Sequence, residues 1–475
     1  MWATFILVLH FTLALGIVFR VLTRPRLEPS TRLAWVMVVE ALPLIGIAAY
    51  ILFGEIRISR AERQKRADIR ERLTGMWQPS PEAVTDPPER VAAVIASGRA
   101  IGGMGAVGGN EVSLLPEDDT AIDQLVAAID GARDHVHILF YIWLDDVSGR
   151  KVADAVARAA GRGVACRVVV DSLGSRAFLR SDAWAGMKAA GARVVEAFPL
   201  RRPVILQALW RRLDLRNHRK IAIIDGSLGF TGSRNCSDMA FAVKRRYAPW
   251  VDVFFAIRGP VLRQMQSVFL ADWMSYTGED LGEMLRMIPS AGSDTAAQVI
   301  ATGPDQRGGN IAESLIAMLA AARHEVIIST PYYVPDQPLD AALAACARRG
   351  VRVTLILPAR NDSLIVGATS EGFYHNLLAS GLHIHLFEGG LLHAKLLSVD
   401  GQMVMMGSAN LDRRSFELNY EMNMLLIGDE ITATIDARQH SYLERSRELT
   451  LREVAAWPRW RRLRNNMLAL ASPLL

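Results

Sequence analysis

Two copies of one pattern of chemically active side chains lie far apart in this sequence. Each copy has a histidine, a lysine two residues later and an Asp-Gly pair at the seventh position after the histidine: His218, Lys220 and Asp225 in the first, and His393, Lys395 and Asp400 in the second. A motif found once is a weak signal, but two copies with identical spacing indicate an internal duplication with a shared function.

A serine and an asparagine follow each motif in the same register. Ser233 and Asn235 come 15 and 17 residues after the first histidine, and Ser408 and Asn410 come 15 and 17 residues after the second. The apolar run inside each motif predicts a buried strand that ends in a turn. Since alternate residues of a strand share a face, the histidine and lysine of each copy project to one side. The aspartate has the opposite parity, which favours a role in the turn.

Two imidazoles, two ammonium groups and two carboxamides, brought together, form a site for a phosphodiester. Lysine neutralises the non-bridging oxygens, and asparagine can donate hydrogen bonds to them. One histidine can attack phosphorus to give a phosphohistidine, while the other protonates the leaving alkoxide and then deprotonates the incoming hydroxyl. We take His218 as the nucleophile and His393 as the acid and base. Asp252 and Glu421, each on the apolar strand after its motif, are the candidate carboxylates that orient the imidazoles.

Two other interpretations of the motifs are weaker. An ordinary strand with a lysine that reaches to solvent explains neither the duplication nor the matched serine and asparagine. A two-histidine metal site lacks a cysteine or carboxylate at ligand spacing, and lysine is a poor metal ligand. The sequence therefore predicts a site that uses neither a metal nor another cofactor.

The duplicated motif resembles that of the phospholipase D superfamily. Flanking segments are similar to bacterial cardiolipin synthases over nearly the whole chain, at residues 43–54, 140–143, 249–252, 330–336 and 410–419. The resemblance implies two α/β repeats related by a pseudo-two-fold axis, an N-terminal transmembrane helical hairpin, and phosphatidyl transfer between two phosphatidylglycerol molecules to give cardiolipin and glycerol. It also implies that all six motif residues, Asp225 and Asp400 included, belong to the catalytic set, and that the paired serines and asparagines bind or orient the phosphate.

An alternative function for the same site is hydrolysis, either as a phospholipase D that releases phosphatidic acid or as a nuclease. A net charge of +5 suits nucleic acid, but no array of basic and stacking aromatic residues stands out. Apolar segments beside the catalytic part favour lipid. The predicted partners are therefore phosphatidylglycerol and other anionic membrane lipids, without nucleic acid.

The first 56 residues are expected to anchor the chain. Residues 2–19 are uncharged apart from a neutral histidine, and residues 33–53 form a second apolar run interrupted by Glu40. Each run is near the ~20 residues that cross a bilayer. A cleaved signal peptide is the alternative for the first run, but a basic leader and a small-residue cleavage site are lacking. Seven basic residues after the second run, against four between the runs, predict a multi-pass protein of the bacterial inner membrane with a cytoplasmic catalytic part.

Five regions are expected along the chain: the hairpin anchor at 1–56, a basic juxtamembrane helix and proline-rich linker at 57–90, the first repeat at 91–285, the second repeat at 286–455, and a basic and apolar tail at 456–475. The basic stretch 56–73 is expected to lie on anionic lipid. Residues 103–108 have the G-x-G-x-x-G spacing of a dinucleotide site. A helical run precedes them and a strand follows, however, so a loop is predicted.

Helices and apolar strands alternate from residue 118 onward, which predicts α/β layers. We expect helices at 120–132, 151–161, 310–322 and 339–349, and strands at 135–144, 164–171, 325–334 and 351–358. Four aromatic residues near the ends of these strands are expected to line the mouth of the site and exclude water, namely Tyr141, Trp143, Tyr332 and Tyr333.

Two segments carry basic ends around apolar residues. The first repeat has extra length around residues 201–212, which predicts either a segment that dips into a lipid interface or a helix packed on its own domain. The C-terminal stretch 457–475 is likewise consistent with membrane apposition or with docking on the catalytic part. Three scattered cysteines predict no disulfide framework.

Overall fold

The computed structural model of the protein describes residues 1–24, 27–76, 82–199, 212–286, 288–306 and 311–470. The predicted α/β class is confirmed, with alternating helices and strands in two repeats. In the first half of the chain the strands are β1 (Val107–Leu114), β2 (His135–Phe140), β3 (Ala165–Asp171), β4 (Arg193–Ala197), β5 (Arg216–Asn217), β6 (Lys220–Ile224), β7 (Leu228–Gly232), β8 (Trp250–Val251) and β9 (Phe254–Arg258). In the second half they are β10 (Thr295–Thr302), β11 (Glu325–Ser329), β12 (Tyr333–Val334), β13 (Arg352–Pro358), β14 (His383–Phe387), β15 (Leu391–Leu392), β16 (Leu396–Val399), β17 (Met403–Gly407), β18 (Leu411–Asp412), β19 (Asn419–Ile427) and β20 (Ser446–Leu449).

Helices cover both faces of these strands. Before the first repeat they are Trp2–Thr23, Pro29–Ala41, Ile45–Phe53, Arg60–Gly75 and Glu89–Gly102. In the first repeat they are Thr120–Asp130, Val147–Gly161, Asp182–Ala189 and Val261–Thr277. In the second repeat and the tail they are Ile311–Ala321, Gln337–Arg348, Leu364–Ala379, Arg413–Glu417, Asp429–Glu444, Leu451–Ala455 and Arg459–Leu470.

The two repeats have the same strand order. The first reads β1-β9-β7-β6-β2-β3-β4 and the second β10-β19-β17-β16-β11-β13-β14, with β20 added at the edge. Antiparallel pairing of β1 with β10 joins them into one continuous sheet. Within each repeat the last three strands are parallel, because helical crossovers connect them. The duplication predicted from the motifs is therefore a duplication of the whole sheet.

Alternation along β2 shows how the continuous sheet is buried on both faces. Val136, Ile138 and Phe140 pack against the outer helices of the first repeat. Leu139 faces the opposite way, into an apolar core that includes the helix Val261–Thr277 and extends into the second repeat. Such two-sided burial explains why these strands read as continuous apolar runs. The shared core fixes the position of one repeat against the other.

The Asp-Gly pairs form the turns that follow the two motif strands. Asp225 has φ 50° and Gly226 φ 63°, and Asp400 and Gly401 repeat these values at 53° and 63°. Two consecutive positive φ values are the reason for an Asp-Gly sequence at a tight hairpin. The predicted strand-and-turn structure of both motifs is confirmed.

The N-terminal region differs from the expected hairpin. The apolar run 33–53 is not one helix, because Pro43 cannot continue the helix Pro29–Ala41 and the chain turns at Leu44, where φ is 62°. The next helix, Ile45–Phe53, runs as a separate piece. Within the described ranges, no helix combines the length and the apolar composition that a membrane span requires.

Two arginines of the first basic cluster lie beside residues 54 and 55, directly ahead of the second cluster. Arg20 forms an ion pair with Glu55, and Arg24 Nη1 donates to the carbonyl of Gly54 at 3.3 Å. The two basic clusters therefore cannot be weighed against each other as the charge count assumed. Arg26, a member of the first cluster, lies outside the described residues.

Two helices ahead of β1 pack on the repeats, the first of them against the expectation that it lies on anionic lipid. In the helix Arg60–Gly75, Arg66 and Leu73 are buried, with Leu73 in the shared core, so one face of this basic helix lies on protein. The helix Glu89–Gly102 packs against the helix Ile311–Ala321 of the second repeat. It is followed by a short loop and then by β1, so the glycines at 103–108 open no helix. Residues 201–211 and 471–475 lie outside the described residues.

Candidate active site

Each motif histidine is held by a strand of the other repeat. Ahead of the first motif, β5 pairs in parallel with β19, and the backbone N–H of His218 donates to the carbonyl of Tyr420 at 2.9 Å. Ahead of the second, β15 pairs in parallel with β8, and the N–H of His393 donates to the carbonyl of Val251 at 2.7 Å. The strand ahead of each motif therefore pairs with a strand of the other repeat, and this exchange brings the two motifs to the junction of the repeats.

The candidate carboxylates contact the histidines across the repeats. Nδ1 of His218 lies 2.9 Å from Oε2 of Glu421, which belongs to the second repeat. Nδ1 of His393 lies 2.7 Å from Oδ1 of Asp252, which belongs to the first. Each carboxylate therefore serves the motif that it does not follow in sequence. All four side chains are buried, which strengthens both contacts.

The two serines after the motifs hold the carboxylates. Oγ of Ser233 donates to Asp252 at 2.6 Å and accepts the N–H of Val253 at 3.0 Å. Oγ of Ser408 donates to Glu421 and accepts the N–H of Met422 at 2.9 Å. Each serine thus contacts the carboxylate and not the imidazole, and its geometry is that of a residue that orients the carboxylate.

The motif lysines share one arrangement. Nζ of Lys220 donates to the carbonyl of His218, and Nζ of Lys395 to the carbonyl of His393, each at 2.6 Å. An ammonium group has three hydrogens, so further donors remain for a ligand. Electrostatic interactions cross the junction as well: Lys395 lowers the pKa of His218, and Lys220 lowers the pKa of His393. The crossed strand pairings and the crossed histidine–carboxylate contacts bring both imidazole–ammonium pairs to the junction of the repeats.

Comparison with known proteins agrees with this geometry. A family model described as "Cardiolipin synthase, PLD-like domain" matches residues 125–273 and 315–442, and one described as "Phospholipase_D-nuclease N-terminal" matches residues 12–55. Cardiolipin synthase A of Klebsiella pneumoniae (strain 342) is 36% identical, over 98% of this chain and 97% of that one; the Salmonella arizonae protein of the same name gives the same values. The chain belongs to the bacterial cardiolipin synthase family. Among solved structures, phosphatidylserine synthase of Haemophilus influenzae shares the fold, with a TM-score of 0.59 at 14% identity over 82% of this chain and 100% of that one.

Burial and nearby charges set the protonation states of the lysines, histidines and carboxylates at this site. Burial lowers the pKa of Lys220 to about 7 and that of Lys395 to about 8. Burial also lowers the pKa of His218, and it lowers the pKa of His393 to about 4, although the adjacent carboxylates oppose the shift. For Glu421, burial alone raises the pKa, but the interactions with His218 outweigh it and hold the pKa at about 2.

Burial likewise favours the neutral form of Asp252, but its pKa is held at about 2 by His393 and Lys395. An ionised carboxylate can only accept a hydrogen bond, so each imidazole carries its proton on Nδ1. This tautomer leaves a lone pair on Nε2. The site therefore holds two neutral imidazoles of matching tautomer beside two lysines whose pKa values lie at about 7 and 8.

Asp225 and Asp400 do not contact this site. Asp225 accepts the backbone N–H groups of Arg133, Asp134 and His135 at 2.8–2.9 Å. Asp400 accepts three equivalent N–H groups of residues 323–325, also at 2.8–2.9 Å. Their inclusion in the catalytic set is corrected here: both carboxylates tie the turn after a motif strand to the start of the neighbouring strand.

The asparagines after the motifs take different positions. Oδ1 of Asn235 faces the N–H of Ile142 at 3.4 Å, whereas Nδ2 of Asn410 donates to Asp412 at 3.3 Å. Oδ1 of Asn410 is buried without a partner among the residues that the structure describes.

Sequence reasoning missed a third amide: Nδ2 of Asn419 donates to Oε1 of Glu421 at 3.1 Å. Its position two residues before the orienting glutamate, on the same strand face, was the available signal.

Only part of the predicted aromatic lining surrounds the histidines. The ring of Tyr141 meets His218 edge-on at 4.7 Å between centroids. Trp143 is instead fully buried and stacks on Phe178, and Tyr333 is fully buried in the outer core of the second repeat. β2 ends at residue 140 and β11 at residue 329, so strand alternation does not extend to these positions. A tryptophan missed by the sequence reasoning, Trp250, lies 4.7 Å from the ring of His393.

A buried polar network supports the site from behind. Asp272, on the helix Val261–Thr277, accepts from Arg219 Nη1 at 2.6 Å and from Asn217 Nδ2 at 2.9 Å. Arg66 lies 3.8 Å from the other oxygen of Asp272, with its guanidinium 4.8 Å from the ring centre of Tyr420. Arg219 lies between the motif histidine and lysine in sequence. Through Asp272 and Arg219, the helix Arg60–Gly75 is connected to the first motif strand.

Proposed function

We propose that the two motif histidines carry out phosphatidyl transfer from one phosphatidylglycerol molecule to another. The observation that supports this proposal best is the pairing of each Nδ1 with an ionised carboxylate of the opposite repeat. Such pairing leaves Nε2 of both imidazoles for chemistry on one phosphodiester. The chain's membership of the cardiolipin synthase family fits the same reaction.

In the first step, Nε2 of His218 attacks phosphorus and a P–N bond forms. The P–O bond to the terminal glycerol breaks, and the leaving oxygen takes the proton on Nε2 of His393. Because burial disfavours an imidazolium at His393, the negative charge of the bound phosphodiester is needed to raise its pKa. Lys220 and Lys395 neutralise the non-bridging oxygens.

In the second step, a glycerol hydroxyl of another phosphatidylglycerol attacks the phosphohistidine. His393 takes the proton of that hydroxyl, the P–N bond breaks, and cardiolipin leaves. One phosphodiester replaces another, so the exchange requires no external energy source. The order of the histidines and the absence of a metal requirement stay predictions. Tyr141 and Trp250 cover the imidazoles, which limits hydrolysis of the intermediate.

Purified protein with phosphatidylglycerol vesicles tests the reaction. We expect cardiolipin and glycerol in equal amounts by lipid chromatography and glycerol assay, and no product from His218→Ala or His393→Ala protein. Phosphatidic acid as the main product would contradict the transferase assignment and favour the hydrolase.

We further propose that the N-terminal helices insert into the inner membrane and that the catalytic part lies on its cytoplasmic side. Many large apolar side chains of these helices face outward and are 45% or more exposed, including Leu15, Phe19, Leu33, Met37 and Ile45. The basic residues of this region gather at the end where Arg413, three residues after Asn410 in the second repeat, donates to Glu28 at 2.8 Å, consistent with a cytoplasmic end. Resistance of the full chain to carbonate extraction is expected; release by carbonate would argue against insertion.

A further inference from the structure

The C-terminal helix Arg459–Leu470 turns four of its large apolar side chains away from the protein. Trp460, Leu463, Met467 and Leu470 are 64%, 63%, 62% and 77% exposed. Their spacing of three, four and three residues places them on one face of the helix. In a helix that packs on a globular core, this face is the one that is buried. Here the orientation is reversed.

Buried polar contacts fix this orientation. Asn465, on the opposite face, is 1% exposed, and its Nδ2 donates to Oε2 of Glu371 at 2.7 Å. Arg461 donates to both oxygens of the same carboxylate, at 2.9 and 3.1 Å. A side chain at Gly372 would meet Ala469 Cβ at 3.0 Å, so the two helices are closely apposed. Rotation of the helix to bury its apolar face would leave Glu371 unpaired.

The exposed apolar residues continue onto the neighbouring helix. Leu364 and Ile365, at the start of the helix Leu364–Ala379, are 83% and 50% exposed. They line, with Trp460, a groove of about 1700 Å³ that includes space open to solvent and reaches Pro331. The next residue after that proline, Tyr332, donates through its hydroxyl to Asp362 at 2.6 Å. Thr330, the residue before that proline, lines a small cavity together with Lys395. The groove therefore runs from the C-terminal helix toward the second motif.

Positive charge surrounds the apolar residues. Arg459 and Arg462 are exposed on the same helix and have no acidic partner in the part of the chain that the structure describes. Arg360, before the helix Leu364–Ala379, is exposed in the same way. An apolar stripe with cationic flanks matches an interface of acyl chains and anionic headgroups. A cationic partner is disfavoured by these charges.

We propose that this surface docks onto an anionic lipid bilayer beside the catalytic site. The C-terminal face, as we define it, consists of Trp460, Leu463, Met467, Leu470, Leu364 and Ile365. It forms a second contact with the membrane besides the N-terminal helices, and it holds the groove against the lipid surface. This inference rests on the proposed function in one respect only: the lipid substrate is the reason for choosing an anionic bilayer as the surface that the C-terminal face contacts.

An environment-sensitive fluorophore on Leu463→Cys tests the contact directly. The three native cysteines are buried, so the new thiol is labelled selectively. The full chain is reconstituted into phosphatidylcholine vesicles with or without phosphatidylglycerol, and Lys188→Cys, at an exposed helical position of the first repeat, serves as the matched control. We expect a blue shift and quenching by nitroxide-labelled lipid at position 463 in the anionic vesicles, and neither at position 188.

Two outcomes would overturn the proposal. The first is an emission at position 463 that is the same with and without anionic lipid. The second is a blue shift in detergent solution that grows with protein concentration, which would assign the face to a second copy of the chain. Because fluorescence needs no turnover, it decides the docking even if cardiolipin synthesis is not observed.

Activity provides an independent measurement. The double variant Leu463→Gln with Met467→Gln should make cardiolipin about tenfold more slowly on vesicles, since two apolar side chains no longer enter the lipid. In mixed detergent micelles it should match the unmodified chain. Asn466→Gln, an exposed neighbour outside the stripe, is the control, and thermal unfolding checks that the helix stays docked. Equal rates for both variants on vesicles would contradict the proposal.

Discussion

Replacement of Glu421 by glutamine tests the central contact of the site. Three donors converge on this buried carboxylate: Nδ1 of His218, Oγ of Ser408 and Nδ2 of Asn419. Glutamine has nearly the same shape but only one acceptor oxygen, and its amide hydrogens must face at least one of these donors. The variant therefore keeps the packing while it removes the negative charge and leaves one buried donor without an acceptor.

The expected loss follows from these contacts. A hydrogen bond to a charged group contributes ~1.5–3 kcal/mol, and an unsatisfied buried donor costs ~1–3 kcal/mol. The positive imidazole that forms during catalysis, whether as imidazolium or as phosphohistidine, loses the first contribution in full. Only the first of these effects is specific to the transition state, so kcat should fall by about 2–3 kcal/mol, or roughly thirty- to a hundredfold, while the second effect lowers the free energy of unfolding.

The assay is steady-state cardiolipin formation by Glu421→Gln and by Glu417→Gln, an exposed glutamate that undergoes the same chemical change four residues earlier. The control should retain full activity, and both proteins should unfold cooperatively. Since Glu421 raises the pKa of His218, its loss lowers that pKa further and should shift the acidic limb of the rate profile to lower pH. A kcat within tenfold of the unmodified value would refute the assignment of Glu421 as the orienting carboxylate.

Four further outcomes are expected. Asp225→Asn should lower the free energy of unfolding by about 1–2 kcal/mol, measured with denaturant, and change kcat less than tenfold, because its carboxylate holds backbone amides and not the imidazoles. In the free enzyme kcat/KM should fall more steeply once the pH rises through about 7 to 8, where Lys220 and then Lys395 lose their charge in addition to the proton of His393; an unchanged slope to pH 9 would contradict this. Asp272→Asn should destabilise the fold by about 3 kcal/mol or more in the same denaturant assay, because it unpairs buried arginines. Labelled phosphate from phosphatidylglycerol should remain on His218 in His393→Ala protein; label elsewhere would reverse the two roles.

Local sequence signals predicted most strands and turns of this fold, and the repeated order of its helices and strands. The motif strands, for example, are short apolar runs closed by Asp-Gly, and both features act over a few residues. The pairing of Glu421 with His218 could not be predicted in this way, since it depends on the exchange of β5 onto β19 across 203 positions of sequence separation. The position of Asp252 and Glu421 after the motifs identified two carboxylates that contact the histidines, but it did not indicate which histidine each one contacts.

Other differences arose from residues whose partners are distant. Arg66 in a basic helix indicated a lipid-facing surface, but Asp272 and two tyrosine rings satisfy its charge inside the protein. Tyr141 and Trp143 have the same parity, yet only the first meets a histidine because the strand has already ended. The break in the second N-terminal apolar run had a visible signal in Pro43, which ends helices.

The exchanged carboxylates have a consequence for the size of the smallest active unit. One repeat alone contains a histidine and a carboxylate that do not contact each other, so it has no complete imidazole–carboxylate pair. Activity from separated halves would require them to reassociate, with a rate that falls as they are diluted. Covalent fusion removes that dependence, supplies one complementary half to every molecule, and allows each half to acquire features of its own, such as the extra segment found only in the first.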